Sequence, residues 1–488
     1  MNRSNLQIHQ MMTDPQLTHI HSFPSSPNEI INLVFDEIFE MQQGKVFKRG
    51  KGRIYLSWFP YPNVRFEMEI KYPPLDQKVM RQRWDDFKKV EEEISQNTKI
   101  VCGEELKEIL SLISTGDAEL KFANNASLNA LKINIQRVGR HPNHKSFQNP
   151  CDEILGHLND QQIGVNINVQ YLQFYLSNFY SMSFETEIEG WRLTLDATEN
   201  IDSLLRALER EGGYCISHTA RLERLDNSHF DIERAREVLV AISQGFSFMR
   251  GIRIAPILIS GCNENGETLY QELGFSWATP WEQDCNFTCM ATPSQKDLRL
   301  FISGFFKKWR EQTWQNPLKS IIQWYVEAVR ATGGLEGSII LLQTALETLA
   351  WVLIVDDQGT SVEAFVQESN NASKKINHLL RTIKVSNKIP DSLAELKNYS
   401  SSLELWGRDN GPIALCNVRN DITHASPENR KKLYALDDSV IVETRRLGLW
   451  YVELSLLWIV AYQGNYYNRT SDSNKWCVEP VPWITSIS

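Results

Sequence analysis

The hydrophobic residues of this chain repeat with two different periods, and the change from one to the other bounds what it can fold into. Val64, Phe66, Met68 and Ile70 alternate with Arg65, Glu67 and Glu69. Leu131, Ile133 and Ile135 alternate in the same way, as do Ile163, Val165, Ile167 and Val169, and then Trp191, Leu193 and Leu195. A period of two marks strands with one face buried. From about residue 296 the period lengthens to that of a helix, with Ile339, Leu342, Leu346, Leu349 and Val352 on one stripe. The expected fold class is therefore α+β and multidomain, with a sandwich-like β-rich part followed by an all-helical bundle.

The boundaries follow from the punctuation. Residues 1–27 read as a tail, and NEIINLVFDEIFEM after Pro27 has helical spacing. Residues 28–200 form the expected β-rich domain, with a helical stretch at Trp84–Ile94. Residues 201–295 mix a helix (IDSLLRALER), a strand-like run (YCISHTARLERL) and a second helix from Phe230, as a small α+β lobe would. Residues 296–470 are the bundle and 471–488 a second tail. Within the bundle, Asn316-Pro317 predicts a helix start, Pro427 stops a helix over about 412–425, and the last long helix covers about 440–462.

With 488 residues, 42% of them hydrophobic, and a net charge of −9, the chain is neither disordered nor a nonspecific coat for nucleic acid or anionic membrane. Its eight cysteines are scattered; only Cys285 and Cys289 are close, at a spacing that is no disulfide framework and no C-x-x-C signature. Reduced thiols and a cytoplasmic location are expected. The run Leu447–Tyr462 is strongly apolar but holds Glu453 and Ser455 and is too short for a membrane span, which takes about 20 residues. It reads as a buried bundle helix or a subunit interface. No Walker loop, dinucleotide fingerprint, H-E-x-x-H or G-x-S-x-G motif is present.

One segment carries chemistry. Asn417-Val418-Arg419-Asn420-Asp421-Ile422-Thr423-His424 follows the apolar Ile413–Cys416 and precedes Pro427. Asn420 and His424 share a helix face, whereas Arg419 and His424 are about 140° apart on an ideal helix. Read as local structure, this is a helix ending in water, with Arg419 pairing Asp421 and His424 favouring the same end. Read as chemistry, an imidazole can transfer protons near neutral pH and an arginine fork can hold phosphate oxygens.

The segment resembles the R-x(4–6)-H motif of the HEPN family of helical ribonuclease domains, over roughly residues 296–470. Arg419, Asn420 and His424 match its Arg, its following polar residue and its His. Glu347, in Gln343–Leu349, matches an acidic residue such domains often carry in an earlier helix. The resemblance implies endoribonuclease activity without metal or cofactor, leaving a 2′,3′-cyclic phosphate. Arg419, Asn420 and His424 would be catalytic, with Glu347 holding Arg419 and Asp421 supporting. It implies an RNA substrate, for example tRNA, and a homodimer through the bundle that brings two motifs together. It also implies a role in anti-phage defence or as a toxin, with a phage trigger or an antitoxin as partner and the N-terminal part as sensor. The alternative is an inactive HEPN-like module that dimerises or binds a nucleotide, beside a ligand- or protein-binding β domain.

Basic and acidic residues nearly balance over 316–488, so RNA needs a local basic surface; Arg430-Lys431-Lys432 and Arg445-Arg446 flank the motif and are candidates. Weaker candidates are His141 and His144 or Cys285 and Cys289 as metal ligands, His218 beside Arg221 and Glu223, and Trp277 with Trp281 as an aromatic platform.

Overall fold

In the computed structural model the described residues are 17, 24–44, 46–59, 61–71, 116–122, 131–141, 151–158, 161–163, 168–180, 183–274, 276–282, 288–290, 294–402, 408–424, 426–471 and 477–484. The chain divides into two compact units, one of residues 19–167 and 257–277, the other of 1–18, 168–256 and 278–488. Neither the boundary expected at 200 nor that at 295 separates them, because strand pairing joins segments distant in sequence.

Among the strands of the first unit are β1 (Ile31–Gln43), β2 (Val46–Ser57), β3 (Asn63–Lys71), β4 (Gly116–Phe122), β5 (Leu131–His141) and β6 (Cys151–Leu158). They close into a barrel in the order β1-β2-β3-β6-β5-β4. The expected sandwich is therefore a Greek-key barrel, whose closure removes the free edges an open sheet would expose. The alternation read in β3 is correct: Val64, Phe66, Met68 and Ile70 are buried. The helix expected over 28–41 is instead β1. Its pairing to β2 shifts register between Asn32 and Val34 and again between Val34 and Glu37. Each irregularity breaks the strict alternation, which made the apolar spacing imitate a helix.

β2 shows how the barrel coils. Ile54 and Leu56 point inward. Gly52, on the same alternation, lies so close to β3 that a Cβ would meet the Glu67 carbonyl oxygen at 2.2 Å. On the outer face, Arg49 faces Glu40, Lys51 faces Glu69 and Arg53 faces Glu67, with an Arg53–Glu67 bridge of 2.7 Å. Opposite charges in register support this pairing against a slip by one residue. The helical stretch expected at Trp84–Ile94 lies outside the described residues.

The second unit begins with an antiparallel sheet of β7 (Tyr171–Ser177), β8 (Phe184–Ile188), β9 (Trp191–Ala197) and β10 (Ile216–Arg224), in the order β8-β9-β10-β7. Glu189 and Gly190, both at positive φ, make the two-residue turn between β8 and β9. Helix α1 (Ile201–Glu211) buries Ile201, Leu204, Leu205 and Leu208 against Cys215 and Trp281. Helix α2 (Ile232–Arg250) starts on the Asp231 cap and ends at Gly251 in the left-handed conformation.

The rest is mainly helical: α3 (Gln295–Trp309), α4 (Gln312–Arg330), α5 (Gly334–Trp351) running on into a π-helical turn at Val352–Asp357, α6 (Val362–Glu368), α7 (Ala372–Thr382), α8 (Ala394–Ser402), α9 (Gly411–Thr423), α10 (Pro427–Ala435) and α11 (Asp438–Ile459). After it Asn465–Tyr467 pairs with Val478–Pro480, so the tail expected over 471–488 is in part a strand, followed by the buried Val481. A Ser294–Asp297 capping box opens α3. Pro317 lies inside α4, whose N-cap is Glu311, so the start expected at Asn316 comes one turn too late. The stretch Gly334–Asp357 is long and apolar enough to cross a membrane, but it is mostly buried inside the protein, as a core helix is.

Helix α11 is the hub. From Leu447 to Leu457 every residue is buried. A Cβ on Gly448 would touch Leu342 of α5 at 3.1 Å and Leu415 of α9 at 3.2 Å, so three helices meet closely there. The apolar face expected to join subunits is thus used within one chain, and a second copy would need another surface. Within α11 sits Glu453, fully buried. It accepts from the Tyr325 hydroxyl of α4 at 2.5 Å and from Arg469 Nε at 2.7 Å. Burial raises its pKa, and the Arg469 guanidinium opposes that rise.

Two predictions test this core. Gly304 of α3 lies where a Cβ would be 1.9 Å from the Val460 carbonyl oxygen, whereas nothing lies within 4 Å of one on Gly337 of α5. In urea unfolding, Gly304→Ala is expected to destabilise by about 1–3 kcal/mol, and Gly337→Ala to stabilise by about 0.5–1 kcal/mol. Arg469→Met strands the Glu453 carboxylate and is expected to cost about 3–5 kcal/mol at pH 8, much of it recovered in Glu453→Leu/Arg469→Met. A carboxyl whose folded pKa exceeds its unfolded value binds more protons when folded, so stability falls as pH rises through that window. The Arg469→Met defect is therefore expected to be smaller at pH 5 than at pH 8.

Candidate functional site

The motif sits at the C-terminal end of α9. Asn410 caps the start of this helix, its side chain accepting from the Ile413 N–H at 3.0 Å. Gly411 allows contact with α11, since a Cβ there would be 2.2 Å from the Tyr451 hydroxyl. Ala414, Leu415, Cys416 and Val418 face the core. Arg419, Asn420 and Asp421 are half-buried and His424 is exposed. The apolar first half of α9 is thus the anchor, and its polar second half projects from the bundle.

The helix ends one residue before the histidine. His424 is the C-cap, with φ −89° and ψ 110°, and its backbone N–H still donates to the Asn420 carbonyl at 3.0 Å. Ser426 then caps α10, accepting from the Asn429 N–H at 3.2 Å. The bond to Asn420 keeps the start of His424 on the helix, and its extended ψ turns the chain away after it. Arg419 Nη1 donates to Asn420 Oδ1 at 3.3 Å. Arg419 Nε is buried and has no hydrogen-bond partner among the described residues.

The supporting residues are arranged differently from expectation. Glu347 of α5 does not hold Arg419. It binds Lys375 Nζ of α7 at 3.0 Å, and Gln343 Nε2 donates to it at 3.0 Å. Lys375 precedes the buried Ile376 on α7 and so lies beside the packed face. Glu347 and Arg419 meet only through their fields at Cys416. Burial pushes that thiol up to about 12, Glu347 adds to the rise and Arg419 opposes it. Asp421 pairs with neither Arg419 nor His424. Burial raises its pKa, against the nearby Lys432 and a hydrogen bond from the Tyr399 hydroxyl. Sequence reasoning passed over Tyr399 and Lys375; both lie on short helices whose packing partners no local pattern identifies.

The flanking cations divide. Arg445 donates to the Ala328 and Val329 carbonyls at the end of α4. Arg446 donates to the Arg469 and Ser471 carbonyls. Both serve the fold and do not line a phosphate cleft. Arg430, Lys431 and Lys432 are exposed on α10.

The remaining candidates resolve simply. His218 is fully buried, its Nδ1 3.2 Å from Ser217 Oγ and its ring edge-on to Phe179. Cys289 is buried, and burial holds its thiol well above the usual range. Trp277 is exposed but Trp281 is buried, with the Arg250 guanidinium 5.4 Å from its ring, so the two form no shared platform. Among the described residues no group of three or more His, Cys, Asp or Glu is placed to hold a metal ion. Cys285 and His144 lie outside the described residues, as does the side chain of His141.

Residues 164–284 match the family model of the YopA central domain, and residues 311–481, which include the motif, match that of the YopA C-terminal domain. Over 313 residues the chain is 26% identical to the SPbeta prophage-derived uncharacterized protein YopA of Bacillus subtilis (strain 168), covering 63% of this chain and 67% of that protein. No solved structure matches. The chain is similar to YopA through its central and C-terminal parts.

Proposed function

We propose that this chain is a metal-independent endoribonuclease of HEPN type, with Arg419, Asn420 and His424 as its site. The observation that carries the reading is their placement at one helix end, with the half-buried Arg419 bonded to Asn420 and His424 open to solvent. RNA supplies its own nucleophile in the 2′-hydroxyl. His424 takes the 2′-OH proton, and the oxygen attacks the adjacent phosphorus. The bond to the 5′-oxygen breaks, leaving a 2′,3′-cyclic phosphate and, after proton transfer, a 5′-hydroxyl. Arg419 holds the phosphate oxygens as charge builds on them. Asn420 orients Arg419, to which it is already bonded.

One chain brings one such histidine, and the reaction needs a base and an acid. A second copy supplies the other imidazole, through a surface other than the buried face of α11. The β-rich part acts as the sensor that restrains cleavage until a phage product arrives or an antitoxin leaves. The prophage origin of the Bacillus subtilis relative favours such a role in conflict over phage infection.

The test is direct. Purified wild type and His424→Ala are incubated with tRNA and single-stranded RNA in EDTA, and the product ends are mapped. Wild type is expected to leave 2′,3′-cyclic phosphates, and His424→Ala to cleave about 10²-fold more slowly or worse. Arg419→Lys, which keeps charge but loses the planar fork, is expected to be impaired as well. Equal cleavage by His424→Ala removes the assignment. Silence of wild type, alone and in cells challenged with phage, favours the inactive dimerisation or nucleotide-binding module.

A further inference from the structure

Helix α10 buries none of its nine residues. Its position is set by Ser426 at its N-cap and by Asn429 and Leu433, the two half-buried positions on its inner side. At about 100° per residue, Lys431 falls opposite these two, Tyr434 about 60° from it and Arg430 on the flank beyond, so the tyrosine lies between the two cations. Tyr434 is 82% exposed, more than any other large apolar or aromatic side chain among the described residues. Lys432, on the other flank, bridges Glu428 at 3.1 Å. Arg430 and Lys431 have no ion-pair partner among the described residues. The outer face is thus an aromatic ring flanked by two uncompensated cations, on a chain whose net charge is −9. Only Ala425 and Ser426 separate His424 from Pro427, the first residue of this helix.

From this arrangement we infer that the outer face of α10 binds single-stranded RNA, one base stacking on Tyr434 and the flanking phosphates contacting Arg430 and Lys431. A flat ring between two cations matches a repeating unit of base and phosphate, and stacking of this kind tolerates any base. An acidic peptide would use the cations but leave the ring without a partner. The inference deepens the ribonuclease reading, since it rests on RNA being what reaches His424. It adds a capture surface that the Arg419–Asn420–His424 group does not contain. Because α10 contributes nothing to the core, its outer residues can be changed without unfolding the protein.

The experiment uses the full chain carrying His424→Ala, in EDTA, so that binding is read without cleavage. Fluorescence anisotropy follows a labelled mixed-sequence RNA of about 12 nucleotides at several salt concentrations, with polyglutamate as a competing anion. Adding Tyr434→Ala is expected to weaken binding about 10-fold, while Tyr434→Trp binds at least as well as the parent. Adding Arg430→Gln with Lys431→Gln is expected to lower the slope of log affinity against log salt by about 1.4. Binding within twofold of the parent for Tyr434→Ala overturns the inference. So does an absence of RNA binding, or displacement by polyglutamate as effective as by RNA of equal charge. Binding that needs Tyr434 in a protein that never cleaves keeps this inference and removes the ribonuclease reading. Cleavage that needs His424 with unaltered binding by Tyr434→Ala does the reverse.

Discussion

A carboxylate buried in an apolar helix ties the helical unit together at one point. Glu453 is surrounded by α11's own leucines and aromatics, and left alone it would be costly to ionise. Tyr325 and Arg469 offset that cost and thereby tie three distant segments to one point: α4, α11 and the chain after the bundle. The last segment is tied again by Arg446, whose guanidinium donates to the Arg469 and Ser471 carbonyls. Apolar packing alone would let α11 rotate or slide with little penalty, since it is apolar on all sides. A polar triad with directional bonds admits one register. The floor under α5 and α9 at Gly448, and so the projection of the motif, follows from it.

The motif itself obeys a simple local rule. Apolar residues up to Val418 pull the first turns of α9 into the core, and the polar residues after it are left at the surface. Pro427 stands one residue beyond the Ser426 cap and fixes the start of α10, so the chain must leave α9 at His424. The histidine is therefore presented by an extended residue between two helices.

How much of this could be read in advance depended on the range of the interactions. The helices of the bundle, the boundaries of α9 within two residues and the strand alternation of β3 are local properties and were legible. So was the burial of Leu447–Tyr462, whose internal Glu453 marked it as unfit for lipid. Barrel closure was not legible, because it rests on β1 pairing with β4 about eighty residues away. The helical appearance of β1 came from two register irregularities that only its partner strand reveals. At the site, Glu347 was expected to hold Arg419, but its partner is Lys375. No spacing rule connects α5 to α7. Arg445 and Arg446 looked like surface charge, and they bind carbonyls that sequence cannot show to be unsatisfied.

The division of labour among the arginines and lysines bears on what the site can do. In an acidic chain, cations are few near the motif, and most have a structural duty. Lys375 neutralises Glu347, Arg469 neutralises Glu453, and Arg445 closes the end of α4. Removing these from the account leaves the half-buried Arg419, bonded to Asn420, and the exposed face of α10. Under the ribonuclease proposal, a phosphate at His424 would meet, among the described residues, positive charge within α9 and on the helix that follows. That economy favours a single-stranded backbone passing between them over a duplex, which presents a denser row of phosphates and would need a broader basic surface. It also places the selectivity of the site in exposed side chains that the core does not require. Binding and stability should then be separable by mutation.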